Sequence, residues 1–276
     1  MKVSLLILVH RAQPYIERCV RSLFGQTYGD IEYVFVDDTS PDRSMEIVRQ
    51  VLDMPEFAAR TAQVKFVANE QNLGIAASRN VALDHATGEY VLFVDSDDWL
   101  DLCAVENLAA KAVADSADMV IYDFWMVHEG WFRREKNPVF SGKKKYIRAM
   151  LLRRLTPSMW SKLVRRRLFD EVRFVPGMNY GEDYYISPIL AYGADKIVSL
   201  PEPLYYYLSH DASVSYNVTR AKARMLMDIV ERLGAFFGTK PDYAPIVWQM
   251  KIRNRIMLLR LAVRRRMPKP SKLIRL

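Results

Sequence analysis

The sequence predicts an α/β protein with a doubly wound, mainly parallel sheet and a helical C-terminal extension. Three observations support this fold class. Short apolar runs alternate with amphipathic segments in the N-terminal part, Gly and Pro mark their boundaries, and acidic residues follow two of the runs. Alternating strands and helices form right-handed parallel crossovers. Because ligands of such sheets bind beyond the carboxyl ends of the strands, the acidic residues there are candidates for a site.

Four apolar runs have the length and the β-branched and aromatic content of buried strands. They span Val3–Val9, Ile31–Val36, Val64–Ala68 and Tyr90–Val94. Proline favours the first turn of a helix and glycine the position after its end. Three helices are therefore expected. The first begins at Pro14 and has Ile16, Val20, Leu23 and Phe24 on one side; the second begins at Pro41 and runs through Leu52. The third spans Gly74–Ala86, with Gly88 as its C-cap.

Composition excludes several classes of protein. A chain of 276 residues can bury a sizeable core. Its two cysteines, Cys19 and Cys103, lack metal-ligand spacing, so neither a disulfide framework nor a zinc site is expected, and a reducing cytosol is indicated. The first apolar run is too short for a membrane span and lacks a cleavage site, so we expect a cytoplasmic protein without a leader.

Charge is distributed unevenly along the chain. Residues 1–110 carry 9 Lys and Arg against 17 Asp and Glu, a net charge of −8, which leaves 31 against 15, a net charge of +16, for residues 111–276. Ten Lys and Arg and no acidic residue follow Asp242. Such asymmetry predicts a polyanionic partner, either nucleic acid or an anionic membrane surface.

Three aspartates, Asp95, Asp97 and Asp98, follow the fourth predicted strand. Clustered carboxylates repel one another unless a cation offsets their charge, and a hard divalent ion shared with phosphate oxygens suits them. The alternative is a solvated turn that caps the next helix. The second strand also ends in paired acids, Asp37 and Asp38, and this repetition favours a binding site over capping.

A series of ordered motifs resembles the bacterial family-two, GT-A-fold inverting glycosyltransferases of surface polysaccharide synthesis. The matching segments are Val3–Val9, Pro14–Leu23, Gln26-Thr27, Ile31–Asp42, Asn69–Asn80, Ala86–Tyr90, Asp95–Asp98, Trp160–Leu163, Phe174, Gly181–Asp183 and Pro203–Tyr207. The resemblance implies a GT-A domain over residues 1–215, with a Rossmann-like nucleotide-sugar-binding half (1–110) and an acceptor-binding half (111–215). A basic helical extension follows over residues 216–276.

The resemblance also implies roles on the donor side. It places Asp38 at the nucleotide base and a divalent metal, Mn²⁺ or Mg²⁺, on Asp97, with Asp95 holding either the ribose or the metal through water. The complete set of expected nucleotide-sugar contacts is Leu8, His10, Asp38, Arg79, Asp95 and Ser96. A carboxylate can accept the imide N–H of uracil. Two alternatives stay open: Asp38 as the N-cap of the second helix, and Arg79 as an exposed helical arginine rather than a phosphate contact.

On the acceptor side the resemblance assigns Asp183 as the catalytic base and Glu182 as the residue that orients it or contacts the acceptor. Trp160 would form a wall of the acceptor site. Direct displacement would then invert the anomeric configuration. As alternatives, Glu182 and Asp183 cap a helix over Tyr184–Tyr192 through the helix dipole, and Trp160 belongs to the core.

Two positions depart from the family pattern. The chain has Leu8-Val9-His10-Arg11 where the family usually has Pro-Val-Tyr-Asn, and Ser161 where Asn is usual. The tyrosine normally lies near the base; His10 can still stack there, although the contact changes. The carboxylates expected for the metal and the base are all present.

The basic tail is expected to form an amphipathic helix over residues 244–266. Ile252, Ile256, Leu259 and Val263 recur at helical spacing with arginines between them. A helix of this kind suits an anionic membrane surface, which Lys143–Lys145 and Arg165–Arg167 could extend. The alternative is a helix packed on the domain. A peripheral position at the inner face of the cytoplasmic membrane would suit a polyprenyl-diphosphate-linked glycan acceptor.

The predicted function is transfer of a hexosyl or N-acetylhexosaminyl group from a UDP-linked donor to a glycan or a lipid-linked glycan. A sugar-nucleotide nucleotidyltransferase is the first alternative, disfavoured because no Gly-rich basic loop follows the first strand. A nucleic-acid-binding protein is the second, disfavoured because residues 1–110 are acidic and no nucleic-acid motif is present. No nucleic-acid partner is therefore expected.

Overall fold

A computed structural model describes residues 1–128, 131–137, 142–209 and 219–266, with side chains as far as residue 257. Two compact units result, Met1–Tyr216 and Asn217–Leu276. The strands are β1 (Val3–Val9), β2 (Ile31–Asp37), β3 (Val64–Ala68), β4 (Tyr90–Asp95), β5 (Trp99–Leu100), β6 (Met119–His128), β7 (Trp131–Glu135), β8 (Lys162–Arg165) and β9 (Ile197–Leu208). The helices are α1 (Ile16–Phe24), α2 (Ser44–Leu52), α3 (Ile75–His85), α4 (Ala104–Asp115), α5 (Lys143–Leu151), α6 (Glu182–Gly193), α7 (Arg220–Gly238) and α8 (Ala244–Arg266).

The first unit is built on one mixed sheet with the strand order β3-β2-β1-β4-β8-β6-β9-β5, and β7 pairs with β6. The strands β3, β2, β1 and β4 are mutually parallel. Beyond β4, β8 is antiparallel to both β4 and β6, whereas β9 is parallel to β6. The predicted α/β fold and its parallel N-terminal half are confirmed, and the sheet becomes mixed in the second half. The carboxyl ends of β1, β2 and β4 share one edge.

The predicted strands of the N-terminal half are confirmed almost residue for residue. Nearly all side chains of β1, β2 and β4 are buried, which explains why these strands are continuous apolar runs rather than alternating ones. The helices begin a little after the prolines that predicted them, at Ile16 and Ser44. The helix expected over Tyr184–Tyr192 is α6, which begins at Glu182.

The prediction that Gly88 caps α3 is wrong. The helix ends at His85, and Ala86 follows in an extended conformation. A Cβ on Gly88 would lie 2.7 Å from the backbone nitrogen of Ser4. The backbone N–H of Gly88 also donates to Ser4 Oγ at 2.9 Å. Glycine is therefore required by close approach to the start of β1, not by helix termination.

The second unit is a pair of packed helices, α7 and α8. The predicted helix over 244–266 is confirmed, but its packed face differs from the predicted apolar row. Among the side chains of α8 that the structure describes, Ile246, Met250 and Asn254 are buried, at a spacing of four, whereas Ile256 is 44% exposed. The side chains of Leu259 and Val263 lie outside the described residues. Among the helices that the structure describes, none combines the length and the hydropathy of a membrane-crossing segment.

Candidate functional site

A tight turn after β4 carries the three clustered aspartates. The backbone N–H of Asp98 donates to the carbonyl of Asp95 at 3.1 Å. Asp98 is fully buried, and its two carboxylate oxygens accept from the Tyr205 hydroxyl at 2.7 Å and the Leu208 N–H at 2.7 Å. The Tyr205 hydroxyl in turn accepts from the N–H of Asp95 at 3.1 Å. Asp98 therefore anchors the turn to β9, and both of its carboxylate oxygens are engaged within the protein.

Asp95, Ser96 and Asp97 remain partly exposed at the edge of the sheet. Desolvation raises the pKa of Asp95 to about 7; Arg79 opposes this shift, and the charges of Asp97 and Asp183 add to it. Asp95 Oδ1 lies 3.6 Å from a guanidinium nitrogen of Arg79. The turn thus presents two carboxylates, Asp95 and Asp97, and the single positive charge of Arg79 does not offset both.

Arg79 lies on α3 beneath this edge and is only 2% exposed. Its Nη1 donates to Glu182 Oε1 at 3.1 Å and also to Asp183 Oδ1. Burial alone would lower the pKa of Arg79, but Asp183, Glu182 and Asp95 together raise it. The alternative of an exposed helical arginine is wrong. Arg79 is a buried cation that joins the end of β4 to the first turn of α6.

Glu182 and Asp183 begin α6, directly after Gly181, whose φ of 80° is in the left-handed region. The N-cap is Gly181, so neither carboxylate makes an N-cap side-chain hydrogen bond, but both lie in the first turn, where the helix dipole favours negative charge. Asp183 Oδ2 accepts from the backbone N–H of Met159 at 3.1 Å. Burial and the adjacent Asp183 raise the pKa of Glu182 to about 7, although Arg79 opposes the shift. The dipole alternative therefore agrees with the position of both acids, and Met159 and Arg79 add partners from outside the helix.

Asp38 lies at the end of β2 and is buried. Its carboxylate accepts from Asn69 Nδ2 at 2.8 Å and from the N–H groups of Leu73 and Gly74 at 2.8 and 3.0 Å. Burial alone would raise the pKa of Asp38, but these hydrogen bonds lower it below the ordinary value. Asp38 is not a helix cap, because α2 begins at Ser44.

The predicted donor-side residues meet at one edge of the sheet. In the strand register, Leu8 of β1 lies between Val36 of β2 and Asp95 of β4. His10 follows β1, with Nδ1 3.0 Å from the carbonyl of Asp38 and 3.2 Å from the side-chain nitrogen of Asn72. This edge is where a parallel sheet binds its ligands.

Trp160 belongs to the core, as its alternative interpretation held. It is 5% exposed, and its ring stacks on Tyr205 and Tyr207 with centroid distances of 4.6 and 5.2 Å. This buried position does not support the prediction that Trp160 forms a wall of the acceptor site. The sequence pattern predicted no role for Met159, Lys162 or Tyr205. In the structure Met159 contacts Asp183, Lys162 is influenced by the charge of Asp183, and Tyr205 contacts Asp98. Lys162 and Tyr205 lie in the matching motifs, but the motifs do not show which residues they contact.

The donor set at the β4 turn fits a hard divalent cation held jointly with a phosphate ligand. Within the part of the chain that the structure describes, no group of three or more His, Cys, Asp or Glu is arranged to hold a metal ion by itself. Magnesium-type sites, however, commonly use one or two carboxylates together with substrate phosphates. Burial raises the pKa of Asp95, the charges of Asp97 and Asp183 add to the shift, and a bound cation would offset those charges.

Comparison with known proteins gives concordant results. A sequence model described as glycosyl transferase family 2 matches residues 4–173. Glycosyltransferase GlyA of Streptococcus pneumoniae is 30% identical over 82% of this chain and 33% of its own length. Putative glycosyltransferase EpsH of Bacillus subtilis is 30% identical over 77% of this chain and 62% of its own length. The chain thus spans between one third and about three fifths of these relatives.

Solved structures share the fold. Staphylococcus aureus TarS 1–349 in complex with UDP-GlcNAc superposes with a TM-score of 0.69 at 24% identity, over 84% of this chain and 66% of that one. Mannosyltransferase PcManGT from Pyrobaculum calidifontis, in complex with GDP-Man and Mn²⁺, has a TM-score of 0.62 at 17% identity, over 98% of this chain and 76% of that one. The predicted GT-A fold is confirmed by these likenesses.

Proposed function

The chain belongs to glycosyl transferase family 2, and on that premise we propose that it transfers a sugar from a UDP-linked donor to an acceptor hydroxyl with inversion. The observation that carries this proposal is the meeting of two acidic sites on one buried cation. Arg79 contacts Asp95 at the end of β4 and Asp183 at the start of α6. The proposed donor site and the proposed base are therefore neighbours in the folded chain.

The donor occupies the edge formed by β1, β2 and β4 in this proposal. Asp38 and His10 lie together there and would receive the base, with Leu8 beneath it. Asp38 already accepts three hydrogen bonds from the segment that contains Asn69 and Gly74. Ser78 is a further hydrogen-bond partner of this carboxylate. Asp38 therefore positions that segment, and a uracil imide N–H would share one of its already engaged oxygens. The structure of TarS in complex with UDP-GlcNAc supports a UDP-linked donor.

Asp97 and Asp95 would hold a divalent cation, Mn²⁺ or Mg²⁺, together with the donor phosphates. Such a cation offsets the charge that develops on the departing diphosphate. The rest of the turn serves to present these two carboxylates. Asp98 and Tyr205 fix the backbone of the turn against β9, and the Asp97 carbonyl accepts from Arg18 at 3.4 Å.

Asp183 would accept the proton of the acceptor hydroxyl as it attacks the anomeric carbon. The N–H of Met159 and the guanidinium of Arg79 each hold one oxygen of this carboxylate, so its orientation is fixed before substrate binds. Attack from the face opposite to the leaving group inverts the anomeric centre through an oxocarbenium-like transition state. Glu182 shares Arg79 and helps to set its position.

The acceptor in this proposal is a glycan, free or linked to a polyprenyl diphosphate, in the synthesis of a bacterial surface polymer. TarS, named as a poly(ribitol-phosphate) β-N-acetylglucosaminyltransferase, is 25% identical over 75% of this chain and 35% of its own length, and its name supports an acceptor of polymeric kind.

The second unit would bind the anionic face of a membrane. Trp248, Ile252 and Ile256 form a row at a spacing of four on α8, apart from the residues packed against α7, and Trp248 is 68% exposed. Arg253 and Arg255 are exposed beside this row. Exposed aromatic and aliphatic side chains flanked by arginines suit a lipid headgroup region.

Ligand-induced thermal stabilisation tests the donor class. UDP with Mn²⁺ should stabilise the protein by about 2.7 kcal/mol at a hundredfold excess over its Kd. ATP, UTP and an oligonucleotide with Mn²⁺ should each stabilise it less. A screen of sugar nucleotides for metal-dependent release of UDP then identifies the sugar. Stabilisation by UTP or an oligonucleotide above that by UDP would contradict the proposed function.

Co-sedimentation with vesicles tests the membrane surface. Binding to anionic vesicles should exceed binding to neutral ones and weaken as salt rises, since each surface arginine contributes on the order of 1 kcal/mol. The double variant Arg253→Glu and Arg255→Glu should lose this binding. Arg21→Glu with Arg43→Glu, the same charge change in the first unit, should retain it. Equal binding to both kinds of vesicle contradicts the proposed surface.

A further inference from the structure

Lys162, the first residue of β8, is a lysine buried at 1% exposure. Its ammonium nitrogen lies 2.6 Å from the carbonyl of Ser158, 3.1 Å from the Ser161 hydroxyl and 3.5 Å from the carbonyl of Thr156. A charged amine is costly to bury unless its donors are used and an opposite charge is close. The three donors of Lys162 have three acceptors, so the side chain is held for a specific contact rather than merely enclosed.

The Ser158 carbonyl belongs to the same peptide group as the N–H of Met159. That N–H donates to Asp183 Oδ2 at 3.1 Å. In a trans peptide the carbonyl and the N–H point in opposite directions, so Lys162 and Asp183 bind the two ends of one peptide dipole. A cation at the carbonyl oxygen polarises the group and strengthens the hydrogen bond that the N–H donates.

Electrostatics connects the same two side chains. Burial lowers the pKa of Lys162 to about 7, and the charge of Asp183 opposes this shift. The Ser158–Met159 peptide is also held by the Ser161 hydroxyl, which donates to the Ser158 carbonyl at 2.8 Å. The preceding peptide is held by the Ser187 hydroxyl, one turn beyond Asp183 on α6, which donates to the carbonyl of Pro157.

We propose that Lys162 is a positioning residue for Asp183 and acts through the Ser158–Met159 peptide. By holding that peptide it fixes one carboxylate oxygen of Asp183, while Arg79 fixes the other. This inference rests on the proposed role of Asp183 as the base. It assigns to Lys162 a contribution to turnover and none to donor binding.

A double-mutant cycle tests this coupling. Lys162→Met is made in the wild-type protein and in Asp183→Asn, and UDP release with Mn²⁺ is measured with UDP-GlcNAc, UDP-glucose and UDP-galactose. The single variant should lose about 10- to 100-fold in kcat, as expected for a misplaced catalytic group, at unchanged donor KM. In the Asp183→Asn background it should cause no further loss. An additional loss there, or a parallel rise in donor KM, overturns the inference.

The amide of Met159 provides a readout that needs no turnover. In protein labelled with ¹⁵N-methionine, the Met159 resonance is identified by its loss in Met159→Leu. Lys162→Met and Asp183→Asn should each move this resonance upfield, because each weakens the same hydrogen bond. Lys143→Met is the matched control, since Lys143 also donates to backbone carbonyls, of Tyr192 and Ala194. A Met159 resonance that Lys162→Met leaves in place overturns the inference.

Thermal unfolding and circular dichroism check that each variant folds, because Lys162→Met leaves the acceptors of Thr156, Ser158 and Ser161 without this donor. Ser161→Ala keeps the charge, removes one link to the Ser158 carbonyl, and should give a smaller loss of kcat in the same direction. The two proposals fail differently. If Asp183→Asn keeps full turnover, Asp183 is not the base and both proposals are wrong. If Asp183→Asn loses turnover while Lys162→Met and Ser161→Ala keep it, only the positioning role of Lys162 is wrong.

Discussion

The carboxyl ends of β2 and β4 both carry adjacent aspartates, yet the fold surrounds them differently. At the end of β2, three donors from one segment fill most of the acceptor capacity of Asp38 and lower its pKa. At the end of β4, Asp95 has a raised pKa and shares the single guanidinium of Arg79 with two other carboxylates. The first end is closed in the sense that hydrogen bonds within the chain already engage its carboxylate, although the proposed base would bind beside it. The second, open end is an acidic site with charge left for a ligand to neutralise.

Removing a carboxylate from the open end should have the largest effect on activity. Asp97→Asn should reduce transfer to less than about a thousandth, because the proposed metal would supply several kcal/mol of transition-state stabilisation. It should abolish Mn²⁺-dependent UDP binding and leave the unfolding temperature of the ligand-free protein unchanged or higher, since one of several like charges is lost. Calorimetric titration and turnover measure both effects. Unchanged affinity for UDP with Mn²⁺ would remove Asp97 from the metal site.

The acceptor side of the same acidic site should respond in turnover alone. Asp183→Asn should lower kcat by about 10²–10⁴-fold, the usual contribution of a general base, while donor binding is retained. Steady-state kinetics together with UDP titration separate the two quantities. Asp53→Asn, at the exposed end of α2, is the control. If donor affinity falls as much as turnover does, Asp183 belongs to the nucleotide site or to the framework.

The closed end should respond in stability. Asp38→Asn replaces one acceptor oxygen by an amide NH2 group. Because this donor would face the backbone N–H donors, the change should cost about 1–3 kcal/mol of unfolding free energy. Asp37→Asn should cost less, because the Asp37 carboxylate accepts from the N–H of Ser40 alone among the hydrogen bonds described for it. Urea denaturation measures both variants. The contrast between the two strand ends disappears if Asp38→Asn is as stable as Asp97→Asn.

The raised pKa values at the open end should also make the stability of the fold depend on pH. Asp95 and Glu182 have folded-state pKa values of about 7, and their unfolded values are about 3.9 and 4.3. Between those limits the folded protein binds more protons than the unfolded chain, so its stability falls as pH rises through this window. In EDTA the unfolding temperature should therefore decrease between pH 5 and pH 7, by roughly 2–4 °C for each 1 kcal/mol lost. Asp95→Asn should flatten this slope, and a rising unfolding temperature in the wild type would contradict the raised values.

The parallel half of the fold was predictable because its signals are local. Buried parallel strands are continuous apolar runs, and the bounds of β1, β2 and β4 follow from them to within a residue. The clustered aspartates were visible for the same reason. Their environments were not, because the partners that distinguish Asp38 from Asp95 come from distant segments: Asn69 and Gly74 in one case, Arg79 in the other.

The features that the sequence did not reveal have a common physical cause. Gly88 has the pattern of a helix terminator, but the contact that requires glycine is with Ser4, far away in the sequence. Lys162 and Tyr205 stand in recognised motifs without a role, since their hydrogen bonds to Ser158 and Asp98 depend on how β8 and β9 enter the sheet. Trp160 lacks support as an acceptor wall because the rings of β9 that enclose it are also remote in sequence.

The Tyr205 hydroxyl has a consequence for the design of hybrid enzymes. It joins the backbone of Asp95 to the carboxylate of Asp98, both within residues 1–110, and is itself supplied by β9. A chimera that grafts the part of a relative that follows this stretch onto residues 1–110 of this chain must bring a hydroxyl to the same place. Without it, Asp98 keeps a buried oxygen without its donor, and the turn that presents Asp97 loses its support even though every donor-side residue is unchanged.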